Sequence, residues 1–219
     1  MSENFRLRIG FGKIDRLRWL SHLELTRAME RLVRRSGLPY LVTQGFNKHM
    51  RFAIGPALPV GTAGEAELFD VWLTDYVPLP QVMQALTDAA AGMVPMVSAQ
   101  YVAPNAKGLQ ATHTSSSYLI LVEATGYDAE SLQAALDALM ISGSIEVPHK
   151  KKTKSFVLSE VVIEPLTVVA AAGEQGQFLL GCTLRSLASG SLRPEQMLAA
   201  VLGEAVVVMS CTRTGLDEE

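Results

Sequence analysis

An α+β fold of two tandem ferredoxin-like (β-α-β-β-α-β) units is what this 219-residue sequence predicts, and three observations carry the prediction. Stretches that alternate apolar and polar residues recur beside stretches with apolar residues every three or four positions, the marks of strands and helices. They come in the order strand, helix, strand, strand, helix, strand, and the order is met twice. A polar segment of small residues, 105–117, separates the runs, so units are expected over 1–104 and 118–219 with 105–117 as linker. Units of about 100 residues are an ordinary domain size.

The first strand is read in Phe5–Phe11, where apolar and polar residues alternate. Ser21-His22-Leu23-Glu24 has the form of a capping box, with Leu20 placed as a staple. The helix that follows runs to about Ser36, with Leu25, Ala28, Met29, Leu32 and Val33 as its buried stripe and Gly37 and Pro39 as its stop. Tyr40–Gln44 reads as a short strand, 45–65 as a long loop with a short strand at Arg51–Ile54, and Ala66–Thr74 as a strand. Pro80–Ala91 reads as a helix and Met93–Val102 as a strand. In the second half, strands are read at Tyr118–Ala124, within Val157–Ala170, at Phe178–Leu184 and at Val206–Thr212, with a hairpin turn at Gly173–Gly176. The helices there are Ala129–Met140 and Pro194–Leu202. In this topology Cys182 and Cys211 lie on the strands that flank the first, about two strand spacings or roughly 10 Å apart. That is beyond disulfide reach, so both are expected to be reduced core residues.

Composition excludes several classes. The apolar fraction of 48% suits a folded core, and there is no uncharged apolar run long enough for a membrane-spanning helix. Residues 1–6 lack the basic start and apolar run of a signal peptide, so a cytoplasmic location is the expectation. Neither a phosphate-binding G-x-x-x-x-G-K-[ST], a G-x-G-x-x-G, an H-E-x-x-H nor a three-cysteine cluster motif occurs, and no cofactor or metal is expected.

The formal net charge of −3 hides a split. Residues 1–51 hold eleven Lys and Arg against four Asp and Glu, while 52–219 hold eight against eighteen. Four of those later eight are Lys150, Lys151, Lys152 and Lys154. Concentrated basic segments attract polyanions whatever the overall charge. Arg16 and Arg18 precede a helix N-terminus, itself favourable to anions, and Arg27, Arg31 and Arg34 share a helix face away from the apolar stripe. The segment 44–61 combines Asn47, Lys48, His49 and Arg51 with Phe46 and Phe52. Such donors suit phosphate oxygens, and aromatic rings stack on bases, although phenylalanines in a structured loop also serve as core anchors. His149 and Lys150–Lys154 form a third basic element, which follows the first helix of its own half as the Phe46 loop does. His22 and His49 could converge as an acid/base pair, and two histidines alone make a poor zinc site.

Four strings carry a resemblance: Arg16-Leu-Arg-Trp-Leu-Ser-His-Leu-Glu-Leu-Thr-Arg27, Arg34-Arg-Ser-Gly-Leu-Pro39, Gly45-Phe-Asn-x-His49-x-Arg51 and Gly55-Pro-Ala-Leu-Pro59. Together they resemble the radical SAM-linked proteins of the DUF2344 family, most closely over residues 5–75. The family's loop resembles G-F-N-P-H-P-R, and here Lys48 and Met50 stand at its proline positions. The resemblance implies a radical SAM enzyme as partner. Tandem ferredoxin-like units with basic loops also occur in CRISPR repeat-processing endoribonucleases, an analogy of architecture only. The leading expectation is a non-catalytic RNA-binding or substrate-presenting module acting with a radical SAM enzyme in RNA modification. Its nucleic-acid contacts would be Arg16, Arg18, Arg27, Arg31, Arg34, Asn47, Lys48, His49, Arg51, Lys150, Lys151 and Lys152. The alternatives are a metal-independent endoribonuclease using His22 and His49, and a protein-interaction adaptor whose basic face docks on the radical SAM partner.

Overall fold

A computed structural model describes residues 4–149, 152–172, 176–188 and 190–218. The chain is α+β and divides into two compact units, Met1–His113 and Thr114–Glu219.

In the first unit, β1 (Phe5–Lys13) turns Leu7, Ile9 and Phe11 into the core and Arg6 and Arg8 to the opposite face, as a period of two requires. A 3-10 turn (Asp15–Trp19) leads to α1 (His22–Arg35). The capping box forms: Ser21 Oγ accepts from the Glu24 backbone N–H, and Glu24 Oε2 accepts from that of Ser21 at 2.9 Å. Ser21 Oγ also donates to Glu24 Oε2 at 2.7 Å, and that bond, with the one from the Ser21 backbone N–H, holds the Glu24 carboxyl below its ordinary pKa. Leu25, Met29, Leu32 and Val33 are the buried stripe. Next come β2 (Phe52–Ile54), β3 (Ala63–Leu73), α2 (Leu79–Ala90), β4 (Met96–Val102) and the short α3 (Leu109–Thr112). The sheet order is β2-β3-β1-β4 and every pairing is antiparallel. Both long helices cover the face that carries Leu7, Ile9, Phe69 and Val71.

The second unit opens with β5 (His113–Ala124) and α4 (Ala129–Ser142), capped by Asp128, whose Oδ1 accepts from the Ser131 N–H at 2.8 Å. A separate antiparallel hairpin follows, β6 (Ser144–His149) and β7 (Lys152–Val157). After it come α5 (Leu158–Val161), β8 (Val162–Ala171), β9 (Gln177–Leu187), β10 (Gly190–Ser191), α6 (Pro194–Leu202) and β11 (Val206–Glu218). The order is β8-β9-β5-β11, with β10 on the end of β9. Cys182 on β9 and Cys211 on β11 flank β5, and both are free and buried. Among the described residues no helix is long and apolar enough to cross a membrane.

Three differences from the sequence reading stand out. The expected linker 105–117 contains α3 and the first five residues of β5, and Leu109, Ser115 and Ser116 in it are buried. Tyr40–Gln44 is not a strand but two isolated bridges, Tyr40 to Leu73 and Val42 to Met50. The β6-β7 hairpin was not anticipated, because Pro148 and the lysine run mask the short alternation of Ile145, Val147 and Phe156, which join the core. The expected turn at 173–176 falls mostly on 173–175, outside the described residues.

Candidate nucleic-acid interface

The segment 40–51 is a tight excursion tied to the end of β3. The Leu41 N–H donates to the Trp72 carbonyl at 2.6 Å, Arg51 N–H to Leu41 at 2.8 Å, and Trp72 N–H to Arg51 at 3.2 Å. One step further out, Thr43 N–H donates to the His49 carbonyl at 2.8 Å, and the His49 N–H returns to Thr43 Oγ1 at 3.1 Å. Gly45 turns the chain at φ 145°, a conformation side chains resist. Residues 44–49 are all exposed, and Phe46 is exposed without remainder at 104%. Met50, at one of the two proline positions of the family's loop, is buried in the core, so an apolar anchor holds the hairpin there. The two candidate aromatics therefore divide. Phe52 stacks on Phe69 with centroids 5.1 Å apart and serves the core, whereas Phe46 stands in solvent beside Asn47, Lys48 and His49.

The hairpin's foot rests on a cluster the sequence reading missed. The Arg51 guanidinium lies 4.6 Å from the Trp72 ring centroid, and that of Arg6 lies 5.0 Å from the same ring. Asp70 is fully buried and accepts from Arg6 at 2.6 Å and from Arg8 at 2.9 Å. Arg6 also donates to the carbonyls of Ala106 and Lys107. The available signal was register: Arg6 and Arg8 alternate with Leu7 as Asp70 and Trp72 alternate with Val71, which puts all four on one sheet face.

At the other end of β3, the Arg18 guanidinium covers the Trp19 ring at 4.8 Å, and Arg16 is exposed. Trp19, 59% exposed, lies against Gly61, where a methyl group would come within 3.3 Å of the ring. Gly61 N–H donates to the Arg18 carbonyl at 2.8 Å. Lys13, buried, donates to the carbonyls of Pro59 and Thr62 and so fixes this loop. Along α1, Arg27, Arg31 and Arg34 are exposed, and Arg34 lies 3.7 Å from Glu30. Arg35 is exposed as well, and its Nη2 donates to the Ala89 carbonyl of α2 at 3.1 Å.

The segments that carry the two histidines are tied to opposite ends of β3. His22 follows the turn tied to Gly61, next to the start of β3, and His49 sits on the hairpin tied to Trp72 at its end. Lys13 faces Gly64 at the first end, and from there to Trp72 is eight strand residues, about 26 Å at ~3.3 Å each. An acid and a base acting on one phosphodiester must both reach it within hydrogen-bond distance. In the second unit, Lys152 pairs with His149 on the β6-β7 hairpin, and Lys154 Nζ lies 4.5 Å over the Phe156 ring. Lys150 and Lys151 lie outside the described residues. Both units thus insert a hairpin between their first helix and their second sheet strand.

A family model described as "Uncharacterized protein conserved in bacteria (DUF2344)" matches residues 6–194. No match was found among curated proteins. Among solved structures, the chain is similar to a Cbf5-Nop10-Gar1 complex, with TM-score 0.47, 11% identity, and 94% of this chain and 48% of that chain covered. It is similar to the archaeal box H/ACA sRNP Nop10-Cbf5 complex, with TM-score 0.48, 12% identity and 96% and 48% covered. It is also similar to an H/ACA RNP bound to a substrate RNA containing 2'-deoxyuridine, with TM-score 0.44, 11% identity and 94% and 47% covered. The chain spans about half the length of the chains it matches there.

Proposed function

The chain belongs to the DUF2344 family, conserved in bacteria, and from that premise we propose that it is a non-catalytic cytoplasmic module that binds RNA and presents it to a radical SAM enzyme for modification. The observation that carries the reading is the hairpin tip. A phenylalanine ring kept wholly in water costs solvation and contributes nothing to the fold, and here it is flanked by Asn47, Lys48 and His49 on a backbone fixed from both sides. A stacking ring among donors and cations is the equipment single-stranded nucleic acid requires. In this reading Asn47, Lys48, His49 and Arg51 meet bases and the adjoining phosphates. Arg16, Arg18, Arg27, Arg31 and Arg34 meet phosphates, and Lys150, Lys151 and Lys152 are assigned phosphate contacts of their own. Each unit is read as ferredoxin-like, supported by the strand orders β2-β3-β1-β4 and β8-β9-β5-β11. The radical SAM partner is supported by the sequence resemblance.

The test is fluorescence anisotropy with a labelled single-stranded RNA of mixed sequence at low salt. Phe46→Ala is expected to weaken binding by the worth of one stacked base, about 1–3 kcal/mol or roughly 5- to 150-fold. Its thermal midpoint should stay put, because the ring touches no core. Absence of binding by the parent chain, or equal affinity of the variant, would remove the proposal.

A further inference from the structure

The two units treat the sheet face away from their helices in opposite ways. In the first unit that face holds the Arg6, Arg8 and Asp70 cluster, and the carbonyls of Ala106 and Lys107 lie on it. In the second unit the equivalent face is apolar and exposed. Ile120 and Val122 of β5, Leu180 of β9, Val168 of β8 and Val206 and Val208 of β11 turn to the core. The alternation therefore sends Leu119, Leu121, Leu179, Val169, Val207 and Met209 outward. Val169 is 57% exposed, Val207 60% and Met209 47%. The patch is continuous at its centre: Leu119 faces Gly181, and a methyl group on Gly181 would lie 3.2 Å from Val169 Cγ2 and 3.8 Å from Leu119 Cδ2. Leu121 faces Leu179 in the next such row. Contiguous apolar surface of this kind, with polar groups at its ends, marks an interaction site.

The charges at its ends select the occupant. Glu123 is exposed at one end, beside Gln177. At the other, Glu164 accepts from Thr183 Oγ1 at 2.6 Å and Asp217 accepts from Ser117 Oγ at 3.3 Å. Arg185, the cation on this face of β9, is drawn to the Glu160 carbonyl. A second copy of the same face would oppose carboxylates to carboxylates, which disfavours a symmetric pair. RNA is disfavoured for the same reason, and the face has no aromatic ring to stack. We propose that the outer face of the β8-β9-β5-β11 sheet docks a protein partner through a segment with an apolar strip flanked by lysine or arginine. This surface is independent of the RNA reading of the first unit.

The test uses the full chain, isotope-labelled, titrated with an amphipathic peptide of leucine and lysine and with its leucine and glutamate counterpart. The lysine peptide is expected to shift the methyl resonances of the six outward residues saturably, and the glutamate peptide to shift none. Val169→Lys with Val207→Lys should weaken the lysine peptide at least tenfold. Both sites are exposed, so the melting temperature and the RNA affinity should be retained. Shifts that map elsewhere, equal response to both peptides, or full affinity in the double variant would overturn the proposal. So would dimerisation of the unliganded chain through this face, which would assign it to a second copy.

Discussion

Replacing Arg27 and Arg31 by glutamine tests the RNA reading quantitatively. Of the eleven cations before residue 52, Arg6 and Arg8 bind Asp70, Lys13 is buried on two carbonyls and Arg35 is bound to Ala89. Seven remain for a ligand: Arg16, Arg18, Arg27, Arg31, Arg34, Lys48 and Arg51. If each neutralises one phosphate of a single strand, these seven contribute about −5 to the slope of log K against log salt, at ~0.7 per contact, with Lys150, Lys151 and Lys152 left out of the count. Raising salt from about 50 to 200 mM then lowers affinity roughly 900-fold. Without Arg27 and Arg31 the slope should be about −3.5, and the same change of salt should cost roughly 130-fold. Anisotropy at four or more salt concentrations measures both slopes. Arg35→Gln is the control, since the bond to Ala89 tethers that guanidinium to α2, and its slope should equal the parent's. A double variant with the parent's slope, or an Arg35→Gln slope reduced as much as the double variant's, would refute the assignment of available and spent cations.

Other outcomes follow from the core and the caps. Asp70→Asn removes the buried carboxylate that Arg6 and Arg8 share, so it should cost about 3–5 kcal/mol and lower the urea midpoint by about 2 M, read by tryptophan fluorescence. A shift below about 0.5 M would contradict the role given to the cluster. Ser21→Ala should cost about 1 kcal/mol through the lost cap. Because Ser21 holds the folded Glu24 pKa below its ordinary 4.5, this cap's stabilisation is present above that value and is lost as pH falls through the lower folded value. The gap between parent and Ser21→Ala melting temperatures should therefore narrow on going from pH 7 to pH 3. Burial, aided by Glu195 and Glu164, pushes the Cys182 thiol up to about 12, and burial with Glu195 pushes Cys211 up as well. A thiol reagent at pH 8 should label neither in the folded chain and both in urea. Rapid labelling of the folded chain would count against the burial argument.

Local chemistry made much of the fold legible. The capping box, the helix stripe from Leu25 to Val33 and the Pro194–Leu202 helix stand where spacing put them, because each depends on residues within a few positions of one another. What escaped depends on distance along the chain. Arg6 and Arg8 look like the solvent face of a strand until β3 brings Asp70, and the segment after β4 brings Ala106, to them. The site was legible as composition but not as geometry. The donors of 47–51 were visible, yet only the pairing of Leu41 with Trp72 separates Phe46 from Phe52.

The partners of Arg6 bear on how the chain is made. It reaches Asp70 across 64 residues and the Ala106 carbonyl across 100, and both are synthesised after β1. On the ribosome, β1 must therefore wait in water, its guanidiniums hydrated, while more than a hundred residues emerge. A fragment ending at residue 104 has all four strands of its sheet and still lacks two acceptors for Arg6. Translation has to pass Lys107 before the first unit can close, so a chain cut short before that point is left open to quality-control proteases.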